Sequence, residues 1–258
     1  MSFQATATDP WHGDRAVHVP ARRGELPRVC LLPGDPARVD LAASILDDFR
    51  ILGQNREFRL GRGTFAGADI AVCSTGIGGP STEIAVVELC RLGVEVLIRV
   101  GGMGAIPADI APGELTVVVD ALRDGGAARF YVRDESNPRA HPDVVEALEE
   151  AGRGLGRPTR RITVMSCDSY YLGEGRPIPG WEDVAQARLD EIIARGADAM
   201  DMECETVFAV AAACGAKAGA VLATHGNRAT DEWLDDYEPA QLTMLRVAAQ
   251  AAADLARA

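Results

Sequence analysis

The chain is poor in aromatic residues, 5% of 258, and has no surplus of positive charge. Lys and Arg number 26 against 38 Asp and Glu, a formal net charge of −12. An acidic balance of that size argues against a polyanion-binding surface, so no nucleic-acid partner is expected. Positive charge can still be focused locally, so the total does not exclude a phosphate site. No apolar run reaches the roughly 18 residues that span a bilayer, so no membrane partner is expected. The opening MSFQATATDPWHGD has neither a basic start nor an apolar core, so a signal peptide is not expected and a cytoplasmic location is. The six cysteines, Cys30, Cys73, Cys90, Cys167, Cys204 and Cys214, contain no C-x-x-C pair. In contexts such as AVCST and AAACG they read as small buried hydrophobes in a reducing compartment, not as zinc ligands. The G-x-S-x-G elbow, the Walker A loop and the G-x-G-x-x-G fingerprint are also missing; Gly76-Ile-Gly-Gly79 comes nearest and fails the spacing. The four histidines have no triad-like neighbours. No organic cofactor is therefore expected.

What is present is a core-forming chain, 47% hydrophobic, in which short apolar runs alternate with helical stretches. Strands are expected at Val29–Leu32, Ile70–Ser74, Val94–Val100, Leu115–Asp120, Arg161–Met165 and Gly219–Ala223. Helices are expected at Arg38–Leu46, Thr82–Leu92, Pro142–Ala151, Trp181–Ala194, from near Cys204 to Ala213, and at Pro239–Ala256. This alternation predicts an α/β fold with a mixed, mostly parallel central sheet. No repeat or Pro/Ser-rich linker divides the chain, which reads as one domain over residues 17–258 behind a loose tail of residues 1–16. In such sheets the ligand sits at the carboxyl ends of the strands. Glycine turns fall there, at Gly34, Gly76 and Gly101.

Four segments carry chemistry. Pro33-Gly34-Asp35-Pro36 reads as a strand-to-helix turn in which glycine permits close backbone approach and free N–H groups suit an anion, with Arg38 one turn on. Arg99 ends an apolar strand before Gly101-Gly102. A buried guanidinium needs either a structural carboxylate or a ligand anion. Met202-Glu-Cys-Glu205 places two carboxylates ahead of an apolar helix, as caps or as acceptors for adjacent sugar hydroxyls. Tyr170-Tyr-Leu-Gly-Glu174-Gly-Arg176 is either a surface turn or a platform for a planar base. Arg56-Glu57-Phe58 alone reads as a solvated charged pair.

Taken in order, PGDP-x-R, REF, CSTGIGGPS, R-x-G-x-x-GAI, S-x-D-x-x-Y-x-G-x-x-R and E-x-E before a helix resemble the nucleoside phosphorylase superfamily, in its hexameric, uridine-cleaving branch. The resemblance runs from about His18 to the closing helix. It implies a three-layer α/β/α sandwich and reversible phosphorolysis of a pyrimidine, uridine-like nucleoside, with inorganic phosphate as co-substrate. It implies phosphate contacts from Gly34, Arg38, Arg99 and position 102, and from Arg56 toward a neighbouring subunit. It implies ribose contacts from Glu205, with Glu203 and the Cys204 backbone, and from His18 lent across the interface. Tyr170, Glu174 and Arg176 would hold the base, and Arg228 would lie on a catalytic loop. Arg99, Glu205, Arg176 and Arg228 form the implied catalytic set. Glu57, Ile77 and Ser81 match positions that hold a monovalent cation such as potassium between subunits, and the assembly implied is a homohexamer, a trimer of dimers.

The chain departs from that pattern at three places. Gly102 replaces a hydroxyl residue, removing a donor worth on the order of 1 kcal/mol. Glu174 replaces a glutamine and, when ionised, can only accept hydrogen bonds, from a base rich in N–H or from Arg176. Cys204 replaces a methionine. Beside the phosphorylase reading stand a hydrolytic nucleosidase, a purine nucleoside phosphorylase using Asp231 as an acid, and a non-catalytic nucleoside-binding protein.

Overall fold

The computed structural model describes residues 5–257, and ten strands form its sheet. In spatial order these are β10 (Glu232–Trp233), β9 (Lys217–Asn227), β6 (Leu115–Leu122), β7 (Arg160–Ser166), β8 (Ala199–Asp201), β5 (Val96–Ala105), β1 (Val29–Pro33), β4 (Ala68–Cys73), β3 (Phe58–Phe65) and β2 (Asp47–Asn55). β5 also pairs with β9, so β5, β9, β6, β7 and β8 close into a ring. β1 lies parallel to β4 and β5, and β5 parallel to β9, as strands joined by helical crossovers should. The class and the mixed sheet match expectation. The antiparallel share is larger than the helix alternation suggested, because β2, β3 and β4 are joined by short turns.

The helices are α1 (Pro36–Leu41), α2 (Gly79–Leu92), α3 (Pro142–Gly154), α4 (Glu182–Ala194), α5 (Cys204–Ala213) and α6 (Glu238–Arg257). α2 packs on α5 and α3 on α6, giving separate helical layers on the sheet. Strand residues such as Leu31, Leu97 and Ile98 share the core with Phe208 of α5 and Leu245 of α6. α5 is buried from Cys204 through Ala211, which fits its nearly unbroken apolar sequence.

Four expectations change. The predicted turn at Gly101-Gly102 is strand, because β5 continues to Ala105. The helix predicted over Arg38–Leu46 ends at Leu41 and passes into a single tight turn, Ala42–Ser44. Residues 47–65, left without an element, form a hairpin, and Arg56 turns it with a left-handed φ of 52°. Of the loose tail, residues 1–4 lie outside the described residues. Trp11 and Ala16 of the remainder are buried in the core, with the guanidinium of Arg91 4.3 Å from the Trp11 ring centroid.

Candidate active site

A cavity of about 690 Å³ opens at the carboxyl ends of β1, β4 and β5. Its walls gather residues from every segment singled out in the sequence: Gly34 and Arg38, Glu57, Arg99 and Gly102, Tyr170, Glu174 and Arg176, and Met202 and Glu203. The loops after β1 and β4 are tied together, with Thr75 N–H donating to Pro33 O and Gly76 N–H to Gly34 O, both at 2.9 Å. Asp35 accepts from Ala37 N–H at 2.8 Å and so starts α1, which carries Arg38 into the wall.

Arg99 is 4% exposed. Its Nε donates to Asp201 Oδ2 at 2.9 Å and a terminal nitrogen meets Glu203 Oε2 at 2.5 Å. Burial alone would lower its proton affinity, but Glu203 and then Asp201 outweigh it and hold the guanidinium above the usual arginine range. Gly101 is required beneath it, since a Cβ there would meet the Arg99 guanidinium carbon at 2.8 Å. Asp201 is fully engaged: it also accepts from Ser166 Oγ at 2.5 Å and from the Glu203 and Cys204 N–H groups at the start of α5. Glu203 accepts from Gly78 N–H at 2.6 Å, and burial pushes its carboxyl up against the pull of Arg99. Arg38 is less satisfied. Its Nε is buried without a hydrogen-bond partner among the described residues. An orphaned guanidinium N–H beside a cavity is a donor left for an anion.

At the other end of the cavity Arg176 pairs with Glu174, lies 4.0 Å from the Tyr170 ring centroid and donates to Tyr170 O at 2.7 Å. Glu174 is 3% exposed, and burial raises its carboxyl to about 7 despite Arg176; Asp201 and Glu203 add to the rise. Of the two partners open to an ionised Glu174, the chain itself supplies Arg176.

Other expected residues lie elsewhere. Glu205 does not line the cavity. Its Oε2 accepts from the Asp124 and Gly125 N–H groups at 2.9 and 2.7 Å, so its carboxylate holds a loop. Of the two glutamates expected at the sugar, Glu203 lines the cavity, with Met202 beside it. The reason is the start of α5: Glu203 is the non-helical residue just before it and Glu205 lies in its first turn, so their side chains leave the backbone in different directions. Cys204 is fully buried, and its backbone N–H, expected at the sugar, donates to Asp201 instead. Arg228 is outside the cavity lining and donates to Glu174 O at 2.8 Å and Gly175 O at 2.7 Å, so it buttresses the loop that carries Glu174 and Arg176. Asp231 is exposed and outside the cavity lining.

Arg56 is exposed at its hairpin tip and does not reach this chain's cavity. His18 also lies off the wall. Glu88 accepts from its Nδ1 at 2.8 Å and from the His18 and Val19 N–H groups. An acceptor-only carboxylate there puts the ring proton on Nδ1 and leaves Nε2 free. Glu57, Ile77 and Ser81 do share one wall, converging on Gly76, whose φ of 75° and lack of Cβ admit Glu57 Cγ and Ser81 Oγ within 3 Å of where a Cβ would lie.

The sequence reading missed His225 and Trp233, which line the cavity, and Tyr237 behind Gly102. Their rings form a stack, His225 lying 4.2 Å from each neighbour, and burial with Arg38 and Arg176 lowers the His225 pKa. The spacing from His225 to Trp233 and Tyr237 fits no helix or strand face, because a reversal at residues 228–231 brings them together.

Arg38 and Arg99, a buried carboxylate and the Arg176–Glu174 pair thus meet in one cavity. The Phosphorylase superfamily model matches residues 28–258. The chain belongs to the Phosphorylase superfamily. Among its phosphorylase relatives is a uridine phosphorylase of Thermococcus kodakarensis, 39% identical over 84% of this chain and 79% of the relative. A guanosine phosphorylase of Halorubrum lacusprofundi is 33% identical, covering 81% and 83%. The uridine phosphorylase of Escherichia coli is 34% identical, covering 79% and 82%.

Proposed function

We propose that the chain is a pentosyltransferase that cleaves a uridine-like nucleoside with inorganic phosphate, releasing the base and a pentose 1-phosphate. The observation that carries this is the orphaned Arg38 Nε in the same cavity as Arg99, Glu203 and the Arg176–Glu174 clamp. Phosphate sits against Arg38, Arg99 and the Gly34 turn, near the sugar. Glu203 retains free lone pairs for sugar hydroxyls. The bond from the anomeric carbon to the base nitrogen breaks, its electron pair leaves with the base, and a phosphate oxygen closes on the carbon. Arg176 faces the charge that develops on the base, and fixed positioning and electrostatics supply the rate. No covalent enzyme intermediate is required.

Release of base from uridine, thymidine, inosine and guanosine, with and without phosphate, tests the reading. Phosphate-dependent release from at least one is expected; release from none sinks it. Equal release without phosphate would favour a nucleosidase, against which the phosphate-facing arginines argue. A second base class, guanine-like, is favoured by Glu174, whose ionised carboxylate accepts from adjacent N–H groups, and by the guanosine phosphorylase relative.

On the same reading the enzyme is a cytoplasmic homohexamer with shared sites. Exposed Arg56 and the free Nε2 of His18 are groups placed to reach a neighbour's phosphate and sugar. Glu57, Ile77 and Ser81 offer carboxylate, carbonyl and hydroxyl oxygens, which suit a hard monovalent cation such as potassium at the subunit boundary. Mixing Arg56→Ala with Arg99→Ala subunits should restore activity absent from either alone. No restoration would argue against shared sites.

A further inference from the structure

Gly102 leaves a bare stretch of cavity wall, and Tyr237 fills the space behind it. A Cβ on Gly102 would lie 2.9 Å from the Tyr237 hydroxyl oxygen, so the hydroxyl stands where a side chain at 102 would begin. Tyr237 comes from the segment just before α6, is 7% exposed, and is aligned by His225, whose ring is nearly parallel to it at 4.2 Å and 4°. Its hydroxyl has one recorded partner, Ala223 O at 3.3 Å, a long bond for an O–H donor. The Arg38 guanidinium carbon lies 5.6 Å from its ring centroid. Burial pushes the phenol up while Arg38 and Arg99 pull the other way, and the net rise keeps it a protonated donor at neutral pH.

We propose that the Tyr237 hydroxyl is a phosphate-binding donor, turning from Ala223 O to an anion held by Arg38 and Arg99, and that Gly102 is small so that it can reach. An O–H donor, an orphaned Arg38 N–H and the Arg99 guanidinium then converge on one anion. The proposal rests on reading this end of the cavity as the phosphate site.

Calorimetric binding of inorganic phosphate to the full chain tests it. Tyr237→Phe should weaken the phosphate Kd about 10- to 100-fold with little change in Tm, the loss expected for one hydrogen bond to a charged ligand. Gly102→Ser should weaken binding in the wild-type background, by meeting the tyrosine hydroxyl. In the Tyr237→Phe background it should tighten binding, by supplying a hydroxyl of its own. If Tyr237→Phe does not fold, Gly102→Ala displaces the hydroxyl without adding a donor and should weaken phosphate to a similar extent. Wild-type protein that binds no phosphate overturns the phosphorylase reading and this proposal together. Wild-type binding with Kd unmoved in Tyr237→Phe or Gly102→Ala, or equal Gly102→Ser effects in both backgrounds, overturns this proposal alone.

Discussion

The two ends of the cavity are built differently. The end proposed for phosphate stands on the interior of β5 and the start of α5, where Arg99 is locked between Asp201 and Glu203, and Asp201 is itself held by Ser166 and the first turn of α5. The end proposed for the base stands on the loop from Tyr170 to Arg176, with a single helical turn inside it and Arg228 supporting it from behind. At the first end the ion pairing fixes the charges. At the second a buried carboxyl titrates near neutrality. On the proposed reading, a rigid anion site beside an adjustable base site lets one scaffold keep its chemistry and change its substrate.

The hardest test of that contrast removes Arg99. Arg99→Met should cost about 3–5 kcal/mol of stability, because two buried carboxylates lose their counter-ion. It should abolish phosphate-dependent base release, with thermal melts and turnover as the readouts. A variant that melts like the wild type would show that the ion-pair cluster is not holding the fold.

Next comes the pair of glutamates. Glu203→Gln should lower kcat/KM about 100-fold, the scale of one preorganised polar contact to the reacting sugar. Glu205→Gln should cost about 1–3 kcal/mol of stability through weakened bonds to the Asp124 and Gly125 N–H groups while kcat/KM moves only a few fold. Reversed outcomes would make Glu205 the sugar residue. Arg38→Met should raise the phosphate KM about 10-fold and leave the nucleoside KM nearly unchanged, as loss of one charged hydrogen-bond donor predicts. Equal changes in both would place Arg38 at the sugar instead.

The smallest effect belongs to the base end. The folded chain holds the Glu174 proton more tightly than the unfolded chain, about 7 against 4.5, so this group's stabilising contribution is complete below 4.5. It is lost as pH rises through about 7. Glu174→Gln should flatten the slope of Tm against pH between those values and remove any change in nucleoside KM near pH 7. An unaltered slope would mean that Glu174 is ionised throughout, held by Arg176.

Much of this was legible along the chain. The strands at Val29, Ile70 and Val94 announce themselves by apolar runs, and glycines with arginines at their ends mark the cavity because anion sites need close backbone approach and fixed positive charge. Residues 47–65 were not legible: β2 is mostly exposed, carries Asp47, Asp48 and Arg50, and lacks the alternation that a half-buried strand shows. Arg228 entered the expected catalytic set through the family resemblance, and its partners here are backbone carbonyls that no motif records.

The sequence by itself determined the α/β class, the run of site segments and the choice of Arg38 and Arg99 as site residues, since these follow from periodicity and from residue chemistry at fixed spacings. Tertiary structure alone decided which carboxylate of Glu203 and Glu205 meets the cavity, and that Tyr237 stands behind Gly102. The first depends on the direction in which a chain enters a helix. The second depends on the proximity of residues 135 positions apart in sequence, where only the packing of β5 against the start of α6 brings the Tyr237 hydroxyl within 3 Å of where a Cβ on Gly102 would lie.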